Sequence, residues 1–177
     1  MALYGRSGEA AAAGSSITAP PKPKPQPGPL VTIAWAPVWL VIMSDAVSAG
    51  QVPGVVAVAN FSGGRGGKPD SRPGDPCDAE NMRRAISRYA LTIRVPVLWH
   101  YAENDRYFGP EHVNSWFRAF ESAGAPGTLV MQPPFGRDGH NLFVSPAGRS
   151  IWVLAFDVFM MRTGYSLPVL ANKNYNN

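Results

Sequence analysis

The chain has 177 residues and a formal net charge of +4, which is the length of one domain, or of one domain with a tail. Its 18 glycines and 18 prolines exclude a helical bundle or a coiled coil, because both residues interrupt helices. A single cysteine excludes an intramolecular disulfide and a cysteine-rich zinc site, and three histidines leave little room for a histidine-built one. The basic residues are scattered rather than clustered, so nucleic-acid binding is not expected.

Residues 1–29 are predicted to form a disordered arm rich in proline and alanine. An alanine run, Ala10 to Ala13, precedes a segment in which prolines recur at alternate positions between Ala19 and Pro29. Prolines at this spacing prevent both helix and sheet hydrogen bonding, which favours disorder or a polyproline-II conformation. A proline-rich segment with lysines can dock into an aromatic groove, and a solvated linker or leader is the simpler interpretation.

Residues 30–51 are a separate apolar segment with two open interpretations. The run from Leu30 to Met43 is interrupted by Pro37 and is shorter than the roughly 20 residues of a membrane-spanning helix, so no membrane partner is expected. One interpretation is one or two buried strands in a cytoplasmic protein. The other is the apolar part of a signal peptide with Val47 to Ala49 as its cleavage site, in a secreted or periplasmic protein.

Residues 52–163 have the pattern of an α/β domain, and residues 164–177 follow it as a tail. Apolar runs of strand length alternate with segments whose apolar residues recur at helical spacing. The predicted elements are the strand Val55–Phe61, a helix from Asp78 to Tyr89, the strand Val95–Tyr101, a helix from Gly109 to Gly124, the strand Thr128–Gln132 and a closing helix Arg149–Met161. Such alternation predicts right-handed crossovers and a parallel sheet.

Titratable side chains follow two of the predicted strands. Asp105 comes after the strand that ends at Tyr101, and His140 comes after the strand that ends near Gln132. In open α/β sheets, function gathers at the carboxyl ends of the strands, and an acid paired with a histidine there can orient a general base. In the alternative interpretation Asp105 caps the following turn or helix and His140 is a surface residue. The spacing alone leaves both open.

Three stretches of the chain carry a family resemblance. They are NFSGGRGG (Asn60–Gly67), LWHYAENDRYFGP (Leu98–Pro110) and MQPPFGRDGH (Met131–His140). Together they resemble the C-terminal half of an α/β-hydrolase of the bacterial dienelactone-hydrolase-like group. The resemblance implies a partial α/β-hydrolase fold and hydrolysis of a small carboxylic ester or lactone. It also implies that Asp105 is the acid and His140 the base of a Ser-Asp-His or Cys-Asp-His triad, which needs no cofactor or metal.

The nucleophile is the missing part of this pattern. Such hydrolases carry it on a Gly-x-Ser-x-Gly elbow, which is expected before the Val55 strand. Ser44 and Ser48 lie in that region without flanking glycines, and Gly5 to Gly8 has only part of the elbow. Ser62 precedes the acid and base in the hydrolase order, but no helix is predicted to start directly after it. The resemblance therefore implies a truncated chain with weak or absent turnover. The alternative is an inactive remnant or an interaction module that docks through its proline-rich arm.

Cys77, His100 and His112 are expected to have structural rather than catalytic roles. Cys77 lies near a predicted helix start between two acids that oppose a thiolate, so we expect a half-buried structural thiol. His100 lies within a strand and is expected to be a hydrogen-bonded core or sheet-face residue. His112 lies in the first turn of a predicted helix and is expected to be solvated.

Truncation would also affect the sheet. Without preceding strands, the strand Val55–Phe61 would present a long apolar edge, through which the chain could associate with itself. The alternative is that part of the run Leu30 to Met43 takes the place of the missing neighbour as a substitute strand.

Overall fold

The computed structural model describes the backbone of residues 30–35 and all of residues 54–164. The predicted arm over residues 1–29, the rest of the apolar segment and the tail from residue 165 onward lie outside the described residues. Four parallel strands form one sheet in the order β1-β2-β3-β4. They are β1 (Leu30–Trp35), β2 (Val55–Phe61), β3 (Val97–Ala102) and β4 (Gly127–Gln132).

Within residues 54–164, three α-helices alternate with the strands or follow them, and the first two begin at residues that favour a helix start. They are α1 (Ala79–Ala90), α2 (Pro110–Ser122) and α3 (Arg149–Arg162). The Asp78 carboxylate caps α1 by accepting a hydrogen bond from the amide of Asn81, and Pro110 occupies the first turn of α2, where no N–H is needed. The predicted strands and helices from Val55 onward are confirmed, with ends that move by at most two residues.

The sheet has one apolar core on each face. The core toward α1 and α2 contains Val58, Trp99, Tyr101, Ile86, Trp116 and Phe120. The core toward α3 contains Ala57, Ala59, Phe61, Leu98, Leu142, Phe143, Phe156 and Phe159. Every residue of β3 is buried, because β3 is an inner strand that is covered on both faces.

The expectation of a free apolar edge along β2 does not hold within the described sheet. β1 pairs with β2 in parallel, so the substitute strand is confirmed for Leu30–Trp35. Leu30 pairs with Val55 whereas Val31 pairs with Ala57, and Val56 is therefore an extra residue in β2, as in a β-bulge. Self-association through another exposed edge stays a prediction. Among the described residues, no helix has the length and apolarity that crossing a membrane requires.

Candidate active site

The loops that follow β2, β3 and β4 meet at one edge of the sheet, because the carboxyl ends of parallel strands point the same way. We call this the carboxyl edge. The loop from Glu103 to Gly109 leaves β3 and carries Asp105; we call it the acid loop. The loop from Pro133 to the 3₁₀ helix Gly139–Phe143 leaves β4 and carries His140; we call it the histidine loop.

Asp105 and His140 are in hydrogen-bond contact across these two loops. Nδ1 of His140 lies 3.1 Å from Oδ2 and 3.3 Å from Oδ1 of Asp105. The Asp105 side chain is fully buried, and its Oδ1 also accepts from the amides of Tyr107 (2.8 Å) and Phe108 (3.1 Å). An ionised carboxylate only accepts, so Nδ1 of the imidazole is the donor. In the neutral ring this leaves Nε2 unprotonated and able to accept a proton.

Nε2 of His140 has no hydrogen-bond partner among the described residues, and the His140 side chain is 22% exposed. Its ring lies against Tyr107, with ring centroids 4.2 Å apart and an angle of 31° between the planes. The site therefore presents one oriented imidazole, held at Nδ1 and stacked on one face, whose other nitrogen is available.

The glycine-rich loop after β2 packs on the aromatic side chains of the acid loop. A Cβ atom added to Gly64 would lie 2.5 Å from the Phe108 ring, and one added to Gly67 would lie 2.7 Å from the Tyr107 ring. These close approaches require glycine. Phe108 and Tyr107 in turn neighbour the His140 ring. The three loops of the carboxyl edge are therefore packed together around the histidine.

Asn104 and Asp138 join the acid loop to the histidine loop, and the sequence analysis missed both. Oδ1 of Asn104 accepts from the amide of Phe135 (2.8 Å). Oδ1 of Asp138 accepts from the amides of Arg106 and His140, each at 3.0 Å. An aspartate two residues before His140 is a frequent cap of a turn or short helix, and this signal was available in the sequence.

Ser62 follows β2 directly but is not hydrogen-bonded to His140. Its side chain is buried with 1% of the residue exposed, and its Oγ has no hydrogen-bond partner. Its φ of 46° is uncommon outside glycine, and the next helix begins only at Ala79. A nucleophile elbow instead exposes its hydroxyl at the start of a helix. The geometry of Ser62 is that of a buried turn residue.

A buried polar network fixes the turn that contains Ser62. Nδ2 of Asn60 donates to the Tyr101 hydroxyl (2.9 Å), which donates to the carbonyl of Gly63, and the amide of Gly63 donates to Oδ1 of Asn60 (2.9 Å). Burial raises the pKa of Tyr101 well above its usual value, so the hydroxyl remains a neutral donor. The Asn60 amide and the Tyr101 hydroxyl are thus used by the fold.

His100 is buried in the core that faces α3. It is 0% exposed, and its ring lies between Phe61 and Phe143 at centroid distances of 5.7 and 5.1 Å. Nε2 contacts the side-chain amide of Gln132 at 2.9 Å, whereas Nδ1 has no partner. Burial lowers the pKa of His100 to about 4, so the ring is neutral at physiological pH.

The structure corrects the assignment of Cys77 and refines that of His112. Cys77 is exposed, so the expectation of a half-buried thiol was wrong. It precedes α1 in a loop, where its amide donates to the carbonyl of Gly66 and its side chain remains at the surface. His112 is 22% exposed at its side chain, with Nε2 3.5 Å from carboxylate oxygens of both Asp75 and Glu111. It is therefore half-buried between two acids rather than fully solvated.

Two surface depressions of the described residues lie away from the histidine. One of about 540 Å³ runs along α1, beside Arg83, Arg84 and Arg88. Another of about 410 Å³ borders the outer side of the acid loop. His140 lines neither of them. Within residues 54–164 no group of three or more His, Cys, Asp or Glu side chains is placed to hold a metal ion.

Comparison with protein-family models gives no match, and comparison with curated proteins gives none either. Solved structures are similar in fold. The acylaminoacyl peptidase of Pyrococcus horikoshii has a TM-score of 0.50 and 16% identity over 75% of this chain. A Klebsiella pneumoniae protein assigned as a dienelactone hydrolase has a TM-score of 0.43 and 17% identity over 64% of this chain. The Pyrococcus furiosus esterase has a TM-score of 0.46 and 10% identity over 77% of this chain.

The chain spans only part of each of these proteins, namely 23% of the peptidase, 45% of the Klebsiella protein and 54% of the esterase. The similarity to the peptidase, together with parallel strands flanked by helices, shows that the described residues form a partial α/β-hydrolase fold. At these identities the similarity concerns the fold alone. The α/β class predicted from the sequence is thereby confirmed.

Proposed function

We propose that this chain carries the acid and base of a hydrolase for small carboxylic esters or lactones, of the dienelactone-hydrolase-like kind. The observation that supports the proposal is the Asp105–His140 pair, in which Nδ1 faces a buried carboxylate and Nε2 has no partner among the described residues. A general base needs this arrangement, because the acid fixes the tautomer and leaves one nitrogen to accept a proton.

In the proposed reaction, Nε2 of His140 accepts the proton of a serine or cysteine as that residue attacks the carbonyl carbon of the ester. Asp105 stabilises the imidazolium that forms and remains ionised throughout. The imidazolium then gives its proton to the leaving alkoxide, and water hydrolyses the acyl intermediate with the same base. All charges that develop are borne by these side chains and by the carbonyl oxygen, so the proposal involves no cofactor.

The proposal includes weak or absent turnover by the isolated chain. Among the described residues, no serine or cysteine is hydrogen-bonded to His140, and Ser62 is buried. The same observation favours the second candidate, a non-catalytic remnant or interaction module with the proline-rich arm as its docking segment. A cytoplasmic location and the absence of nucleic-acid and membrane partners are further parts of the proposal.

The two candidates are separated by the hydrolysis of an activated ester, p-nitrophenyl acetate, by the wild-type chain, His140→Ala and Asp105→Asn. If His140 is an oriented base, its removal lowers the protein-dependent rate about 100-fold or more, the lower end of what general-base catalysis contributes. Asp105→Asn lowers the rate as well, because the amide can hold the wrong tautomer. Equal rates for all three proteins would show that the isolated chain has no His140-dependent turnover, which favours the non-catalytic candidate.

His112→Ala is the matched control, since His112 and His140 have the same side-chain exposure, 22%. Its rate should equal that of the wild type. A fluorophosphonate probe, followed by mass mapping of the modified peptide, then identifies any nucleophile. Labelling of one serine that disappears in His140→Ala indicates a complete triad in this chain. No labelling of the folded protein indicates an acid–base pair without its nucleophile.

A further inference from the structure

We propose that Asn104 and Asp138 are positioning residues that hold the His140 ring against Asp105 by fixing the acid loop to the histidine loop. Their value for catalysis depends on the proposed function, whereas their effect on the ring is a property of the fold. Asn104 directly precedes Asp105, and a single glycine separates Asp138 from His140. Each of the two side chains accepts a hydrogen bond from a backbone amide of the other loop.

Asp138 holds the histidine loop against Arg106, the residue that follows Asp105. A single oxygen, Oδ1, accepts from the amide of Arg106 and from the amide of His140, each at 3.0 Å. This one oxygen therefore accepts hydrogen bonds from the backbones of both the acid loop and the histidine loop. A displacement of either loop would lengthen one of these two bonds.

Asn104 makes the corresponding contact from the residue that precedes the acid. Its Oδ1 accepts from the amide of Phe135 at 2.8 Å, and its Nδ2 lies 3.3 Å from the carbonyl of Phe135 and 3.2 Å from that of Gly136. The carboxamide thus offers its acceptor and its donors to consecutive backbone groups of the histidine loop. A shorter or apolar side chain would leave those groups unpaired.

The strand end and the two loops also approach too closely for any residue but glycine between Asp138 and His140. The amide of Gly139 donates to the carbonyl of Asn104 at 3.0 Å. A Cβ at Gly139 would lie 2.6 Å from Oδ1 of Asn104 and 2.7 Å from Cβ of Ala102. The flanking residues on both sides of Asp105 are therefore bonded to the histidine loop, and the spacing of the pair is set without the Asp105–His140 bond itself.

The test is ¹⁵N NMR of the His140 side chain in wild type, Asp138→Ala and Asp138→Asn. Wild type should show one tautomer, with Nδ1 protonated and Nε2 bare. Asp138→Ala removes the shared acceptor, and the two nitrogen shifts should move toward the average of both tautomers. Asp138→Asn keeps an oxygen in the same place and should restore the single-tautomer signal. Asp105→Asn removes the carboxylate partner of Nδ1 and therefore gives the largest expected change in the His140 nitrogen shifts.

The control is Asp157→Ala. Asp157 is a half-buried aspartate of α3 that accepts no hydrogen bond from the described residues, so its removal should leave the His140 signals in place. For the second residue, Asn104→Ala should shift the His140 signals. Asn104→Asp retains the acceptor for the Phe135 amide and should shift them less.

A purely structural role predicts a different result: a lower free energy of unfolding in Asp138→Ala and Asn104→Ala with unchanged His140 signals. That result would overturn the proposal. Because the NMR readout needs no turnover, it also separates the two hypotheses. Shifted signals with no His140-dependent hydrolysis would support positioning in a chain that has no turnover of its own.

Discussion

The two histidines associated with the ends of β3 and β4 show how differently one side chain can be used within one sheet. His140 donates from Nδ1 to a buried carboxylate and keeps 22% of its side chain exposed. His100 is fully buried among aromatic rings, and its Nδ1 has no partner. The first environment stabilises an oriented proton acceptor, and the second disfavours the charged ring. A histidine at a carboxyl edge therefore has the geometry of a general base only where an acid orients its ring and solvent reaches it.

The largest expected effect concerns the core around His100. Phe61 lies within 5.8 Å, between ring centroids, of His100, Phe143, Trp152 and Phe156. Phe61→Ala should lower the free energy of unfolding by about 3–5 kcal/mol, because it leaves a cavity that rigid neighbours cannot fill. Urea denaturation measures this value. Val144→Ala is the control, since Val144 is 67% exposed and should change stability by no more than about 0.5 kcal/mol. A similarly small change for Phe61→Ala would show that this region is loosely packed.

The next largest effect is the contribution of His100 to the pH dependence of the free energy of unfolding. The folded protein holds the pKa of His100 at about 4, below its usual 6.5, so between these values the unfolded chain binds a proton that the folded chain does not. Stability must therefore fall as the pH falls through this window, by about 3 kcal/mol in total. Above pH 6.5 this contribution does not change with pH.

His100→Gln isolates that contribution from the carboxylates that also titrate at low pH. Urea denaturation of wild type and variant at pH 7.5, 6, 5 and 4 gives the difference in stability at each value. The wild type should lose about 3 kcal/mol more than His100→Gln over this range. Parallel curves would show that the folded and unfolded chains bind the His100 proton equally well, and the contrast with His140 would lose its basis.

The smallest of the three effects concerns the turn after β2. Tyr101→Phe removes the hydroxyl that bonds Asn60 and the carbonyl of Gly63, which leaves buried polar groups unpaired and should cost about 1–3 kcal/mol of stability. Tyr89→Phe is the control, because the Tyr89 hydroxyl makes no hydrogen bond within residues 54–164. If both variants unfold alike, the turn does not depend on this network.

Much of the fold was predictable because its signals are local. The apolar run of β2, the helical spacing of α1 and the Gly-Pro start of α2 each depend on residues within one element. β3 begins two residues later than expected, at Val97, since Pro96 has no N–H for the sheet ladder. The pairing of Leu30–Trp35 with β2 remained one of two alternatives, because an apolar run alone does not identify its neighbour.

The candidate site was predictable in its residues and less so in its surroundings. Asp105 and His140 follow neighbouring strands, so the rule for carboxyl edges brings them together. The contributions of Asn104 and Asp138 were missed because each bonds backbone groups more than 30 residues away in sequence. Cys77 was assigned incorrectly since exposure in a loop depends on what packs around it, which the neighbouring residues in sequence do not specify.

The sequence by itself determined the α/β class and the limits of most elements, because these follow from periodicity and from short-range capping. Only the tertiary structure decided that His140 is oriented and accessible, that His100 is buried and neutral, and that Ser62 is enclosed in a turn. Burial, dielectric environment and hydrogen-bond partners come from segments that are distant in sequence. They determine which of several similar side chains can take up a proton.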